Sequence, residues 1–300
     1  MTDRVDTYPT DQALGRSRIT YGYVTFRKLL GKTVAYGGLC VILAVTAVPF
    51  LWMVFGAFKT EAQLFEYPPR LFPDPWTLEA FPVLFKAIPF GHMFFNSWKI
   101  SILGTLGALV SSAMAAYAFA RLKFWARDQL FIIMLATMMV PAQVTMIPVF
   151  VIMFRLGWID THLPLIVPNW MGWAFGIFLM RQFFLQISSE MEDAAKIDGA
   201  NAIQIFLRLF VPLSKPVLAT LAVFAFLFTW NDLLGPIIYL TTQEKMTLTV
   251  GIATFKGFNR TRYALLMAGA TISVIPILVI FIIAQKYFVR GITISGGLKG

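Results

Sequence analysis

The sequence predicts an all-α, polytopic membrane protein with six transmembrane helices. Hydrophobic residues make up 58% of the 300-residue chain and charged residues 13%, and the mean hydropathy is +0.72. This composition is typical of a membrane protein and not of a soluble domain. Six apolar stretches are each close in length to the ~20 residues needed to cross hydrocarbon. They lie near 33–57, 93–119, 129–154, 165–185, 216–240 and 263–288. Each is expected to be helical, because backbone polar groups in lipid must be satisfied within the segment.

The first part of the chain divides into two segments. Residues 1–32 are polar and basic, without the apolar core of a cleavable signal, and are expected to be a loosely ordered N-terminal segment. Residues 33–92 contain the first transmembrane helix and an external loop. Six prolines between Lys59 and His92 disfavour a long helix in that loop, and the pattern predicts only a short interfacial helix over 77–86.

Residues 93–288 form the predicted transmembrane core. The second span places Gly107, Ser111 and Ala115 at four-residue steps, which predicts a face that allows close helix contact in lipid. The third span contains Pro141 and Pro148, which predict kinks, and five methionines. Kinks suit a mobile gate, but core packing by adaptable methionines is an equally good interpretation.

A polar stretch over 190–216 interrupts the core between the fourth and fifth spans. Ser189 and Glu192 have the spacing of a capping box at a helix start. Gly199 predicts a turn with positive φ, and Asn201 is placed to cap a second short helix. The apolar face of that second helix is predicted to be Ile203, Phe206, Leu207 and Phe210.

This stretch resembles the EAA loop of ABC importer permeases. Asp193-Ala194-Ala195 occupies the Glu-Ala-Ala triplet, Gly199 the glycine, Leu209 the isoleucine, and Val211-Pro212 the final Leu-Pro. Asp for Glu keeps the charge, and the two aliphatic replacements keep the apolar character. The resemblance implies a loop that couples to an ATPase, with the residues Glu192, Asp193, Ala194, Ala195, Asp198, Gly199, Ala200, Leu209 and Pro212.

The C-terminal tail, residues 289–300, also resembles that family. The sequence from Phe288, FVRGITISGGLKG, is most similar to the second permease subunit of maltose-type sugar importers. The resemblance implies that Gly296, Gly297, Leu298, Lys299 and Gly300 contact the ATPases. Composition alone would favour a flexible glycine-rich end. The likeness to the family extends over roughly residues 33–300.

The resemblance implies a type I ABC importer permease that moves a sugar or oligosaccharide inward by alternating access. The implied partners are a second permease subunit, two copies of a cytoplasmic ABC ATPase and an extracytoplasmic solute-binding protein. ATP and magnesium would be bound by the ATPases, and this chain would hold no cofactor. A glycerol-phosphate importer permease of the same class is an alternative, since those proteins carry similar loops.

Lysine and arginine counts predict the orientation in the membrane. Sixteen of the 25 basic residues fall in the terminal segments and on the side of the 190–216 loop, and nine fall on the other side. The first side is therefore expected to be cytoplasmic, so that both termini of this predicted bacterial inner-membrane protein lie in the cytoplasm. The net charge of +10 is explained by these short basic loops, so no nucleic-acid partner is expected.

The sequence carries no pattern for catalysis, metal binding or a disulfide framework. Gly31-Lys32-Thr33 resembles the end of a phosphate-binding loop, but the glycine required five residues before Gly31 is Phe26. Cys40 is the only cysteine. His92 and His162 are far apart in sequence and have no local carboxylate, so a metal site or a catalytic pair is disfavoured.

Four residues are candidates for a translocation pathway: Asn231, Asp232, Gln143 and Trp230. Ionisable groups inside spans are functional candidates by default, and Asp232 is the clearest. A structural role, as a helix cap or a partner of an external lysine, is about equally consistent with its position. Thr145 and Asn169 are weaker candidates. A secondary transporter or channel is the alternative class, and it would call for buried ionisable relays and often paired repeats.

Overall fold

The computed structural model describes the backbone of residues 11–257 and 261–297 and the side chains of residues 31–257 and 261–286. The chain forms two units, Met1–Phe55 and Gly56–Gly300. Within the described residues, the first unit is helix α1, which runs over Asp11–Gly56. Its last residue, Gly56, belongs to the second unit. Helix α1 continues through residue 32, where the predicted N-terminal segment meets the first predicted span.

The second unit is helical throughout the residues described, apart from loops and one isolated bridge between Lys256 and Thr261. Its first helices are α2 Glu61–Leu64, α3 Ala80–Ala87, α4 Phe90–Arg121, α5 Arg127–Thr137, α6 Ala142–Arg155, α7 Leu163–Ile166 and α8 Ala174–Gln186. A 3₁₀ turn, Val167–Trp170, links α7 to α8. The later helices are α9 Ser189–Ile197, α10 Ala202–Ile205, α11 Val211–Leu213, α12 Lys215–Trp230, α13 Leu234–Tyr239, α14 Leu248–Ala253 and α15 Tyr263–Gly297.

The prediction of an all-α membrane protein is confirmed, and the count of spans runs from four to six. Four segments are long and apolar enough to cross a membrane: Gly31–Gly56, Phe90–Arg121, Leu163–Gln186 and Tyr263–Lys286. Two further spans are present if each of two bent helix pairs counts as one. The short external helix expected over 77–86 is present as α3.

The third and fifth predicted spans, 129–154 and 216–240, are not continuous helices. The third divides into α5 and α6, which meet at an angle of 100°. Pro141 precedes α6 and has no N–H to continue the hydrogen bonding of α5. In the fifth, α12 ends at Trp230 and α13 starts at Leu234. The three residues between them include both Asn231 and Asp232.

Helix α4 is the central helix of the second unit and packs against α8 and α12. Small residues on α4 allow close approach of neighbouring segments, as the sequence predicts. Gly107 is buried, and a Cβ there would overlap the indole ring of Trp170. Ala116 is fully buried on the same helix.

Aromatic side chains form a core cluster at each end of α4. Near its start, Trp98 packs against Phe226 and Trp230, with ring centroids 5.8 and 5.7 Å away. Near its end, Tyr117 packs against Phe206 and Phe210, at 5.3 and 5.0 Å. The second cluster thus packs the polar stretch over 190–216 against α4 through Phe206 and Phe210.

Candidate functional site

The first helix of the polar stretch, α9, begins one residue earlier than the capping pattern predicts. Ser188 is the N-cap, and its side chain accepts a hydrogen bond from the Glu190 N–H at 3.2 Å. The predicted capping box between Ser189 and Glu192 is therefore wrong, since Ser189 already lies inside the helix. Glu192 is instead buried, with 7% of its surface exposed. A buried carboxylate needs a charged or hydrogen-bonding partner.

The turn after α9 forms as predicted. Gly199 has φ +80°, in the region that favours glycine. Its N–H donates to the Lys196 carbonyl at 3.0 Å, and the Ala200 N–H donates to the Ala195 carbonyl at 2.9 Å, which closes the helix end. A Cβ on Gly199 would meet nothing within 4 Å. Glycine is thus favoured here by its backbone conformation and not by crowding within this chain.

Asn201 caps the second helix as predicted. Its side chain accepts from the Gln204 N–H, and the Gln204 side chain accepts from the Asn201 N–H, both at 2.9 Å. Together they form a capping box at the start of α10. The stretch is therefore two short helices joined by a turn, as its sequence indicates.

The predicted apolar face of the second helix is only partly correct. Phe210 is fully buried and Phe206 is half-buried, but Ile203 and Leu207 are exposed. Residues 206–210 form a π-helical turn, whose i→i+5 hydrogen bonds add a residue to the turn. This places Ile205 and Phe210, five residues apart, on the buried side.

The outward surface of the loop is unusually apolar for a polar stretch. Ile197 is 87% exposed, and Met191 and Ala194 are also exposed, at three-residue steps along one side of α9. Ile203 is exposed on α10. Exposed apolar side chains grouped in this way are typical of an interaction surface. The remaining predicted residues divide between the two sides. Asp193, Asp198 and Pro212 are exposed, whereas Ala195, Ala200 and Leu209 are half-buried against the core cluster.

Lys196 lies at the edge of this surface and pairs with two acids of α9. Its Nζ is 2.9 Å from Glu192 Oε1 and 3.3 Å from Asp193 Oδ1. These carboxylates raise the pKa of Lys196, with the hydrogen bond to Glu192 as the larger cause. Lys196 is therefore positively charged throughout the physiological range.

Arg121, the last residue of α4, contacts this loop and was not among the predicted site residues. One of its guanidinium nitrogens, Nη1, lies 3.7 Å from Glu192 Oε2. The other, Nη2, donates to the carbonyls of Phe184, at 2.6 Å, and Ile187. No local sequence signal indicates this pairing, because Arg121 and Glu192 are 71 positions apart.

Three of the four pathway candidates lie together. Gln143, Asn231 and Asp232 line an open cavity of about 620 Å³ between α6, α12 and α13. The Asp232 Oδ1 accepts from the Gly235 N–H at 3.1 Å. Asp232 thus accepts a hydrogen bond at a helix start and also borders the cavity, and its role in a pathway stays a prediction. The weaker candidate Thr145 lines it too, whereas Asn169 does not.

The fourth pathway candidate, Trp230, does not line this cavity. Its side chain is 1% exposed and points away from the cavity into the aromatic cluster near the start of α4. Its Nε1–H donates to the Ser273 carbonyl and hydroxyl, both at 3.2 Å. Trp230 therefore packs α12 against α4 and α15.

The cavity wall as a whole is mainly apolar. Within the part of the chain that the structure describes, it includes no lysine, arginine or histidine. The lining residues are Ala142, Gln143, Thr145, Met146, Val149, Leu227, Phe228, Asn231, Asp232, Leu233, Leu234, Gly235, Ile238 and Tyr239. Hydroxyl, amide and carboxylate groups are thus set in an apolar wall, which is typical of a site for a small polar molecule.

A polar cluster lies at the opposite end of α4 from the loop. The Asp160 carboxylate accepts from the Thr242 hydroxyl at 2.6 Å and from Lys245 Nζ at 2.7 Å. These hydrogen bonds, with that of Lys245 as the largest cause, hold the Asp160 pKa well below its usual range. His162 Nε2 lies 2.8 Å from the Lys245 carbonyl, and burial lowers the His162 pKa. The cluster ties the loop after α6 to the loop after α13.

No group of three or more His, Cys, Asp or Glu side chains arranged to hold a metal ion occurs among the described residues. In the predicted C-terminal tail, Gly296 and Gly297 end the helix α15. Leu298, Lys299 and Gly300 lie outside the described residues, so their predicted contact with ATPases stays a prediction.

Comparison with known proteins gives a consistent result. Residues 107–294 match the family model described as "Binding-protein-dependent transport system inner membrane component". The chain is 35% identical to the "Probable ABC transporter permease protein YurM" of Bacillus subtilis (strain 168), over 90% of each chain. It is 33% identical to the "Arabinooligosaccharides transport system permease protein AraQ" of Halalkalibacterium halodurans, over 88% of this chain and 95% of that one.

A third relative is the "Lactose transport system permease protein LacG" of Rhizobium radiobacter, 31% identical over 89% of this chain and 97% of that one. Among solved structures, the fold matches a chain of a bacterial ABC transporter involved in the import of the acidic polysaccharide alginate. That match has a TM-score of 0.74 and 25% sequence identity, and covers 95% of this chain and all of the other.

Proposed function

The chain belongs to the family of binding-protein-dependent transport system inner membrane components, and from this premise we propose that it carries a sugar or oligosaccharide inward as one permease subunit of an ABC importer. The observation that carries the proposal is the loop over 190–216. It is held between membrane helices, turns at a glycine with positive φ, and presents exposed apolar side chains. Such an apolar surface suits the docking of a partner protein, here an ATPase dimer that closes when it binds ATP.

The partners follow from this assignment as further parts of the proposal. The assembly would contain two copies of a cytoplasmic ATPase, of which one would dock on this loop, and the ATPases would bind ATP and magnesium while this chain remains non-catalytic. A second permease subunit would complete the pathway, and an extracytoplasmic binding protein would deliver the solute. Alternating access would arise as ATPase closure moves the loop and, through it, the helices on either side.

A sugar is supported by the chemistry of the cavity and by the relatives. Gln143, Asn231 and Asp232 offer the amide and carboxylate groups that hydrogen-bond hydroxyls, and two relatives are named for arabino-oligosaccharides and lactose. A glycerol-phosphate importer fits less well, because the cavity wall contributed by this chain has a carboxylate and no cationic residue among those described. An anion beside Asp232 would meet unbalanced like charge.

A secondary transporter has little support by comparison. Asp232 in the cavity wall accepts its hydrogen bond from the Gly235 backbone. No second carboxylate and no histidine, lysine or arginine lines the cavity within the described residues, so the wall lacks the acid–base relay that proton coupling needs.

The assignment is tested by co-purification and reconstitution. The chain extracted in mild detergent is expected to bring an ATPase with it. The assembly in proteoliposomes is expected to hydrolyse ATP faster when a solute-loaded binding protein is added. Solute accumulation that needs an ion gradient but neither ATP nor a partner would contradict the proposal and favour a secondary transporter.

The charge of Asp232 leads to a prediction about solute preference. We expect Asp232→Asn to raise uptake of a uronate-containing oligosaccharide, relative to its neutral counterpart, by about five-fold or more, because repulsion at the cavity wall is removed. Asparagine keeps the oxygen that accepts from the Gly235 N–H. The wild-type protein and the variant are assayed with the same binding protein, so that the selectivity of the binding protein cancels from the comparison. An unchanged ratio would mean that the solute does not approach Asp232.

The orientation is predicted from the charge asymmetry and is tested with single cysteines in a Cys40→Ala background. Cysteines at the exposed positions Asp74 and Glu244 are expected to react with an impermeant reagent added outside intact cells. Cysteines at the exposed positions Asp128 and Asn201 are expected to react only after the membrane is opened. Labelling of Asn201 from outside would reverse the orientation and remove the proposed docking surface from the cytoplasm.

A further inference from the structure

Arg121 joins the end of one membrane helix to the end of another. Its Nη2 donates to the carbonyls of Phe184, at 2.6 Å, and Ile187, which end α8. The last carbonyls of a helix have no partner within the helix, and a cation is favoured there by the helix dipole. The guanidinium therefore stabilises the end of α8 and fixes it to the end of α4.

The same guanidinium also contacts both halves of the polar stretch. Its Nη1 lies 3.7 Å from Glu192 Oε2 on α9, and its central carbon lies 5.0 Å from the centre of the Phe210 ring. Arg121 and Glu192 are both about nine-tenths buried. One side chain thus holds α4, α8, α9 and the π-helical turn at a single point.

We propose that Arg121, paired with Glu192, is the positioning residue through which movement of the loop is passed to α4 and α8. This inference rests on the proposed function, because it concerns how the loop and the ATPases act on the pathway. The covalent link from α8 to α9 is only Ile187 and Ser188. Without the ion pair, α9 could tilt on this link and leave α4 and α8 where they are.

The buried location gives the pair its mechanical role. Lys196 also pairs with Glu192, but it lies on α9 and moves with it. Separation of α9 from Arg121 would leave the buried guanidinium without its carboxylate, which is unfavourable, so the pair resists separation when α9 moves. Helix α4 also packs against α12, which ends at the cavity. A displacement of α9 that is imposed on Arg121 therefore reaches the helix that borders the pathway.

The chain offers a matched control in Arg181 on α8. Arg181 is buried to a similar extent, lies 4.1 Å from the Phe131 ring, and donates to the Phe119 carbonyl of α4 at 3.2 Å. Its acidic neighbour is Asp128 on α5, at 4.0 Å. It thus joins the same two helices by the same chemistry, but its described contacts do not include α9.

The first experiment measures hydrogen exchange of the full-length chain in detergent. Glu192→Gln removes the charge and keeps the shape of the side chain. We expect backbone amides of residues 190–199 to exchange at least about five-fold faster in this variant, while those of α12 are unchanged. Arg121→Lys should give a similar effect, since an ammonium cannot reproduce the fork of a guanidinium. Arg181→Gln should leave exchange in 190–199 at the wild-type rate.

The second experiment measures solute transported per ATP hydrolysed in proteoliposomes. We expect this ratio to fall at least about five-fold in Glu192→Gln, the lower range of typical coupling between sites, while the ATPase still binds. The double variant Glu192→Gln with Arg121→Gln should be no worse than the poorer single variant, because both remove one interaction. Arg181→Gln should keep a wild-type ratio.

The inference is overturned if Glu192→Gln keeps the wild-type ratio, or if Arg181→Gln lowers it equally, since the effect would then be a general loosening of α8. Hydrogen exchange decides the positioning claim without ATP or partners. If wild-type protein shows no ATP-driven uptake at all, the proposed function fails, whereas unchanged exchange in Glu192→Gln shows the failure of this inference alone.

Discussion

Replacing Gly199 with leucine is expected to leave the protein inserted in the membrane but to reduce ATP-driven uptake severely. The glycine has φ +80°, where a side chain costs roughly 1–2 kcal/mol. A strain of that size, relieved when the loop leaves its present conformation, lowers the populated fraction of that conformation by roughly 5–30-fold. The measurement is uptake in proteoliposomes together with co-purification of the ATPase.

Two control variants separate the loop from backbone strain in general. Gly157, in the loop after α6, has φ +70° and likewise has no atom near enough to meet a Cβ. Gly157→Leu carries the same strain far from the proposed docking surface, so coupling should survive. Gly199→Asn should be milder than Gly199→Leu, because asparagine tolerates the left-handed region. If Gly199→Leu transports at the wild-type rate, the stretch over 190–216 is not the coupling element.

The largest loss of stability is expected from Trp230→Ala. Deleting a fully buried tryptophan leaves a cavity in the aromatic cluster and costs about 3–5 kcal/mol of unfolding free energy. It also leaves the groups of Ser273 without their indole donor. The measurement is the thermal unfolding temperature in detergent, and Trp230→Phe, which keeps a ring, should recover much of the loss.

The neighbouring Asn231 provides the contrasting result. Its side chain is exposed at the cavity and donates to the Leu227 carbonyl at 2.9 Å. Asn231→Ala is therefore expected to raise the KM for solute while the unfolding temperature stays near that of wild type. A Trp230→Ala variant with unchanged stability and an altered KM would restore Trp230 to the pathway.

The membrane class and most of the loop could be predicted from the sequence because they depend on local patterns. The number of apolar residues in a stretch decides whether it can cross hydrocarbon, and composition therefore indicated the spans. Positive φ at Gly199 and capping by Asn201 depend on the chemistry of a few adjacent residues. Both are present in the structure.

Other features were wrong in the sequence prediction because neighbouring helices decide them. Trp230 and Asn231 are adjacent, yet one enters the core and the other borders the cavity, since α12 ends between them. The spacing of Ser189 and Glu192 does not form a capping box, because Ser188 caps the helix and Glu192 pairs with Lys196 and with Arg121 of α4 instead. With the π-helical turn, Ile205 lies on the buried side with the predicted Phe210, whereas Ile203 and Leu207 are exposed.

The sequence by itself determined that the chain is helical, crosses a membrane and turns at Gly199, because segment length and backbone preference act within a few residues. Only the tertiary structure decided which polar groups meet. Gln143 and Asp232, 89 positions apart, share a cavity wall, and Arg121 lies beside Glu192 across 71 positions. Such pairs follow from the packing of α4, α8 and α12, which no local pattern specifies.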